Sequence, residues 1–250
     1  MLQANPILMA VLGFLLGACI GSFVYACAQR IVGGEDLLFA RSRCRSCEKP
    51  LLKQQLIPIY SWLAQKGRCA CSRILLSKGY LYSELGFASL LAIVWYGLPL
   101  GDALALSLFY GLLGICFFTD FLDQVLHMPT MLILIGSGIL LKSVLAVPLL
   151  TDAILGSTFG FALIYGSNLM YRFFRKKDGF GSGDAWLLAG IGAWTSPLIV
   201  LFVFILAAWI GAIFGMVSIL RGKGSLGSPI PFGVYLAIST VLIGQRQLFV

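Results

Sequence analysis

The sequence predicts an all-α integral membrane protein with about eight transmembrane helices. Hydrophobic residues make up 59% of the 250-residue chain and charged residues only 11%. A soluble core of this length could not bury so much apolar surface. Apolar segments of about the length that crosses a bilayer recur along the chain, at 6–28, 84–100, 103–119, 128–147, 152–171, 185–198, 199–219 and 230–248.

The positions of lysine and arginine predict the orientation of these segments. The 18 basic residues fall mainly into three clusters, ten between Arg30 and Lys78, four between Arg172 and Lys177, and the pair Arg221 and Lys223. Such clusters are typical of cytoplasmic loops. Threading the chain with 29–83 in the cytoplasm leaves only Lys142 and Arg246 on the other side. Topology therefore explains the net charge of +8, and we expect no nucleic-acid partner.

The order of these segments predicts three domains. Residues 1–28 form the first transmembrane helix, 29–83 a cytoplasmic loop between helices 1 and 2, and 84–250 a seven-helix membrane domain. Pro197 divides the sixth span from the seventh.

The loop 29–83 carries two closely spaced pairs of cysteines. Cys44 and Cys47 are separated by two residues, and Cys69 and Cys71 by one. Disulfides are not expected in the reducing cytoplasm. Four thiolates suit one tetrahedral zinc ion, which would stabilise a segment too short to build its own core. The alternative is four reduced cysteines without a metal.

Two aspartates reach the same membrane face in this threading. Asp120 follows the third span and Asp184 precedes the sixth, after Gly181 and Gly183. Acids at the edge of the hydrocarbon are costly and usually functional. Two neighbouring carboxyl groups can share one proton, as aspartyl proteolysis requires. The helix dipoles predict that Asp184 is the ionised base and that Asp120 carries the proton. An ordinary helix cap is the alternative for Asp184.

Two other classes of function remain open from the residues alone. An ion- or proton-coupled transporter would also place acids in the membrane, but it does not account for the cysteine loop. A non-enzymatic assembly factor would use that loop for docking. It predicts that replacing either aspartate leaves function intact.

Several motifs together resemble one family, and they extend over most of the chain. They are Gly21-Ser22-Phe23, the run Arg41-Ser42-Arg43-Cys44-Arg45-Ser46-Cys47, Glu84-Leu85 and Gly181-Ser182-Gly183-Asp184. The sequence thereby resembles the bacterial type IV prepilin peptidases, which are leader peptidases and N-methyltransferases. Departures from the family pattern occur at Tyr25, at Gly79-Tyr80-Leu81, in the shortened Cys69-x-Cys71 pair and at Trp186.

The resemblance implies a multi-pass protein of the bacterial inner membrane with its active site at the cytoplasmic face. Its substrates would be prepilins or pseudopilins, whose basic leader is cut after Gly before a hydrophobic helix. Asp120 and Asp184 would be catalytic, with Asp123 as the alternative to Asp120. S-adenosylmethionine would then methylate the new N-terminus, and Glu84 is the matching acidic residue for that step.

Overall fold

A computed structural model of the chain describes residues 5–35, 50–69, 74–145, 147–176, 181–222 and 230–243. These residues form nine α-helices and one 3-10 turn, and no strand occurs among them. The helices are α1 (Pro6–Val32), α2 (Tyr60–Ala64), α3 (Lys78–Gly97), α4 (Leu100–Asp123), α5 (Met128–Leu145), α6 (Val147–Arg175), α7 (Ser182–Trp194), α8 (Pro197–Leu220) and α9 (Phe232–Ile243), and the 3-10 turn is Lys53–Leu56.

The prediction of an all-α membrane protein is confirmed, but the count of eight spans is not. Among the described residues, four helical segments are long and apolar enough to cross a membrane: Pro6–Val32, Leu100–Asp123, Leu149–Phe174 and Pro197–Leu220. Met128–Val144 and Phe232–Ile243 are shorter apolar helices. Within the described residues, each of the eight predicted segments overlaps a helix, since each contains an apolar run that must satisfy its backbone internally.

The predicted span 185–198 is the clearest departure. Helix α7 ends at Trp194, and α8 begins at Pro197, so the predicted division at this proline is confirmed. The 13 residues of α7 span about 20 Å at 1.5 Å per residue, which is less than the roughly 30 Å of a hydrocarbon core. Ten of these residues are buried. The segment is apolar because it lies inside the protein.

The chain divides into two compact units, Met1–Ile115 and Cys116–Val250. In the first unit, α1 packs on α3 along a stripe of glycines at every fourth position: Gly13, Gly17 and Gly21. A Cβ on Gly17 would lie 2.8 Å from the Ala88 Cα, and one on Gly21 would lie 2.9 Å from the Glu84 Cα. Small residues at this spacing let two helices pack backbone to backbone.

In the second unit, α7 packs against α5 and α6 through glycines. A Cβ on Gly160 of α6 would lie 2.6 Å from the Leu188 carbonyl oxygen, and Gly156 faces the Gly192 carbonyl. The Trp194 indole N–H donates to the Leu134 carbonyl of α5 at 2.8 Å. Helix α7 is thus held on two sides by neighbours that approach its backbone.

Lys142 is one of the two basic residues that lie outside the predicted cytoplasmic clusters, and its contacts explain its position. Its side chain is buried, and its ammonium donates to the Thr195 carbonyl at 2.9 Å. Thr195 immediately follows α7, where unpaired carbonyls and the helix dipole favour a cation. Lys142 therefore caps a buried helix, which explains a lysine outside the basic clusters.

Candidate active site

The two aspartates predicted to be catalytic both lie in the second unit and are buried. Asp120 is 4% exposed and Asp184 is 6% exposed, whereas the alternative, Asp123, is exposed at the end of α4. Asp120 lies one turn before that end, on the side of α4 that faces the protein interior. The difference in burial favours Asp120 over Asp123.

Asp184 is the third residue of α7, so it is not the N-cap residue. Gly181 occupies the N-cap position, and its backbone N–H donates to Asp184 Oδ2 at 3.0 Å. This bond uses one carboxyl oxygen and fixes the side chain over the first helical turn. The other oxygen is available for chemistry.

Space for a side chain is limited at both glycines of this turn. A Cβ on Gly183 would lie 2.9 Å from the Leu126 Cβ, so glycine lets the connection between α4 and α5 pack over the turn. A Cβ on Gly181 would lie 3.2 Å from Asp184 Oδ2. Gly181 and Gly183, predicted as supporting residues, therefore shape the surroundings of the carboxyl group.

Asp120 is bound by the first turn of α9. The Val234 N–H donates to Asp120 Oδ2 at 2.9 Å across 114 residues of sequence. The Gly233 N–H interacts with the same carboxylate. Free N–H groups and the positive end of the dipole make a helix N-terminus a good anion site. Neither residue was anticipated from sequence. The only local signal was Pro231, which precedes the helix as prolines often do.

The two carboxyl groups lie close enough to interact electrostatically. Asp184 precedes the apolar run 185–198 and lies outside the four candidate spans. Burial raises the pKa of Asp184 to about 7, and the charge of Asp120 adds to the rise. This direction opposes the sequence prediction that Asp184 is the ionised partner. Desolvation and a like charge outweigh the helix dipole here.

Glu84, the residue predicted for methyl transfer, lies in the first unit and is buried in α3. Its Oε2 accepts the Ile59 N–H at 2.6 Å, and its side chain also bonds to Ser22 of α1. Ile59 has a φ of 63°, and a β-branched residue in this region is strained. Glu84 therefore holds a strained turn against α1 and α3.

The predicted zinc ligands are largely beyond the described part of the chain. Cys44, Cys47 and Cys71 lie outside the described residues, whereas Cys69 is buried. Its N–H donates to the Ile74 carbonyl at 2.8 Å, beside an antiparallel bridge between Arg68 and Leu75. Within the described ranges, no group of three or more His, Cys, Asp or Glu side chains could hold a metal ion.

Two buried, interacting carboxyl groups in an apolar helical protein are of the kind that acid–base catalysis at a membrane requires. Comparison with known proteins shows the family to which the chain belongs. Residues 15–98 match the Bacterial Peptidase A24 N-terminal domain, and residues 107–216 match the Type IV leader peptidase family. No solved structure matches the chain.

Several curated relatives share the name prepilin leader peptidase/N-methyltransferase. The protein from Aeromonas salmonicida is 34% identical, with 82% of this chain and 70% of the relative covered. The protein from Dichelobacter nodosus is 32% identical, with 86% and 76% covered. The protein from Stutzerimonas stutzeri is 28% identical, with 95% and 91% covered. The chain belongs to the prepilin leader peptidase/N-methyltransferase family.

Proposed function

We propose that this protein removes the basic leader of type IV prepilins or pseudopilins after Gly and then methylates the new N-terminus. The main support for the peptidase activity is that Asp120 and Asp184 are buried and interact. The relatives of the chain are named for both activities. The names of the relatives favour neither a transporter nor a non-enzymatic pilus or secretion assembly factor.

The pair supplies the two groups that peptide hydrolysis needs. One carboxylate takes a proton from the attacking water, and one carboxylic acid donates a proton to the carbonyl oxygen. We assign the base to Asp120, because its carboxylate accepts the backbone N–H groups of both Val234 and Gly233, whereas Asp184 accepts that of Gly181. Hydrogen bonds to the anion favour the ionised form. We assign the shared proton to Asp184, the reverse of the dipole-based expectation. The pair titrates as a unit.

The pH dependence of cleavage tests this sharing of one proton. Because the pKa of Asp184 is raised to about 7, the shared proton is present below that pH and is lost above it. We expect a bell-shaped profile of kcat/KM for prepilin, with its alkaline limb near pH 7. Asp123→Asn should leave the profile unchanged, since this residue is exposed. A rate that rises steadily from pH 5 to 9 would contradict the proposal.

The membrane location proposed is the bacterial inner membrane, with the site at the cytoplasmic face. Basic clusters in 29–83 and 172–177 support this orientation. A prepilin with one apolar helix could reach the site by diffusing in the bilayer. The proposed peptidase site lies wholly within the second unit, Cys116–Val250.

Methyl transfer belongs to the same proposal, with S-adenosylmethionine as the donor. Glu84 bonds to the Ile59 N–H and to Ser22, so it acts by positioning the turn at Ile59 rather than as a free acid. Zinc held by Cys44, Cys47, Cys69 and Cys71 is the remaining proposal. The cysteine spacing supports it, and metal content of wild type against Cys69→Ser tests it.

One experiment separates the two activities. The purified protein in liposomes is incubated with a full-length prepilin and S-adenosylmethionine, and the products are analysed by mass spectrometry. Wild type should release the leader and add one methyl group. Glu84→Gln should still cut, but with methylation reduced by about 10-fold, since the amide weakens a charge-assisted hydrogen bond.

Glu35→Gln is the matched control for Glu84→Gln, because Glu35 lies beyond the end of α1. It should both cut and methylate. Full methylation by Glu84→Gln would contradict the role of Glu84. A wild type that leaves prepilin uncut would overturn the proposed function.

A further inference from the structure

Gly233 occupies the point where three helices of the second unit meet. A Cβ placed on it would lie 2.9 Å from Asp120 Oδ2 and 3.2 Å from Asp120 Cγ on α4. The same Cβ would lie 3.2 Å from Leu187 Cδ2 on α7. Leu187 is three residues after Asp184, on the same face of the helix. Gly233 therefore lies against both helices that carry the carboxyl groups, α4 and α7.

Backbone conformation does not require glycine at this position. Gly233 is the second residue of α9 and has no positive φ, unlike Gly34, Gly67 and Gly222. Alanine is more favourable than glycine in an ordinary helical conformation. The requirement is therefore one of space, and it is set by the Asp120 carboxylate and the Leu187 side chain.

Two fixed side chains limit the space beside Gly233. Asp120 is fixed by the Val234 N–H at 2.9 Å, and Leu187 is fully buried in α7. A methyl group at position 233 can be accommodated only if α9 retreats, or if the Asp120 carboxylate and the Leu187 side chain move aside. Either movement changes the position of Asp120 relative to Asp184.

From this geometry we infer that Gly233 is a positioning residue that sets the spacing of the catalytic pair. The absence of a side chain lets the first turn of α9 hold Asp120 beside the helix that carries Asp184. This inference rests on the proposed peptidase function and adds to it a residue that does not touch the reacting atoms.

The test compares four variants with wild type in the liposome assay: Gly233→Ala, Leu187→Val, the double variant of both, and Gly166→Ala. Gly166 lies on the exposed side of α6, where an added Cβ meets nothing within 4 Å, so it is the matched glycine control. Initial rates over a range of prepilin concentrations give kcat and KM. Thermal midpoints report whether each variant is folded.

Gly233→Ala should lower kcat by about 10- to 100-fold, the effect of displacing a catalytic group by a fraction of an ångström to 1 Å. KM should stay within about twofold, because substrate binding uses other surfaces. Leu187→Val removes one methylene beside the new methyl group. The double variant should therefore be at least about threefold faster than Gly233→Ala, a coupling expected only for residues in contact.

Three results would overturn the inference. The first is a Gly233→Ala kcat within twofold of wild type. The second is a loss of kcat matched by an equal loss of folded protein, and the third is a double variant no faster than Gly233→Ala. If wild type itself leaves prepilin uncut, the proposed function fails, and the inference fails with it. An active wild type with an active Gly233→Ala overturns only the inference.

Discussion

Asp120→Asn and Asp184→Asn should each reduce prepilin cleavage to a small residual rate while the protein remains folded. Each substitution removes a group that must exchange a proton in the transition state, and such groups contribute about 10²- to 10⁴-fold to the rate. The amide keeps the size of the side chain and can still accept the N–H of Val234 or Gly181. The loss should therefore appear in kcat, with the thermal midpoint nearly unchanged.

Asp123→Asn is the control for both variants. It makes the same chemical change in the same helix as Asp120, only three residues later, but at an exposed position. It should cut prepilin at the rate of wild type. If Asp120→Asn cuts prepilin and Asp123→Asn does not, Asp123 rather than Asp120 is the first catalytic acid. Equal cleavage by all three variants would make the acids structural.

The second large effect is expected on stability, at the contact between α6 and α7. Gly160→Ala should destabilise the protein by about 1–3 kcal/mol, the usual result of overpacking a close contact. The new Cβ would lie 2.6 Å from the Leu188 carbonyl oxygen and 2.9 Å from its carbon. Backbone atoms of a buried helix cannot move aside as a flexible side chain can. Thermal or denaturant unfolding in a fixed detergent measures the change.

Gly166→Ala on the same helix gives the opposite expectation. Its Cβ would meet nothing within 4 Å, and alanine is favoured over glycine in a helix by up to about 1 kcal/mol. The variant should be as stable as wild type or slightly more so. If Gly160→Ala and Gly166→Ala unfold alike, the close approach of α6 to α7 is wrong.

The positions of the helices could be predicted from the sequence, but whether a helix faces lipid or is buried within the protein could not. The apolar runs correctly marked the helices, and Pro197 marked the start of α8, because proline is favoured in a first helical turn. The run 185–198 looks the same whether it faces lipid or protein. Only its length of 13 residues and its burial distinguish α7 from a span. Lys142 was unexplained for the same reason, since its partner Thr195 is remote in sequence.

The candidate site shows a similar division. Asp184 was found because its glycine motif is local, whereas the choice between Asp120 and Asp123 depended on which side of α4 faces inward. The contact of Gly233 with Asp120 could not be predicted from sequence, because more than 100 residues separate the two and the contact depends on how helices pack. The stripe of Gly13, Gly17 and Gly21 could have been found from its regular spacing.

The central claim is that Asp120 and Asp184 act as one catalytic pair. The most direct measurement is the prepilin cleavage rate of the double variant Asp120→Asn/Asp184→Asn beside the two single variants, followed by mass spectrometry over long incubations. Residues that act as a unit lose their whole effect with the first substitution, so the double variant should be no slower than either single one. If the rate loss of the double variant equals the product of the two single losses, the two carboxyl groups act independently, and the claim that they form one catalytic pair is wrong.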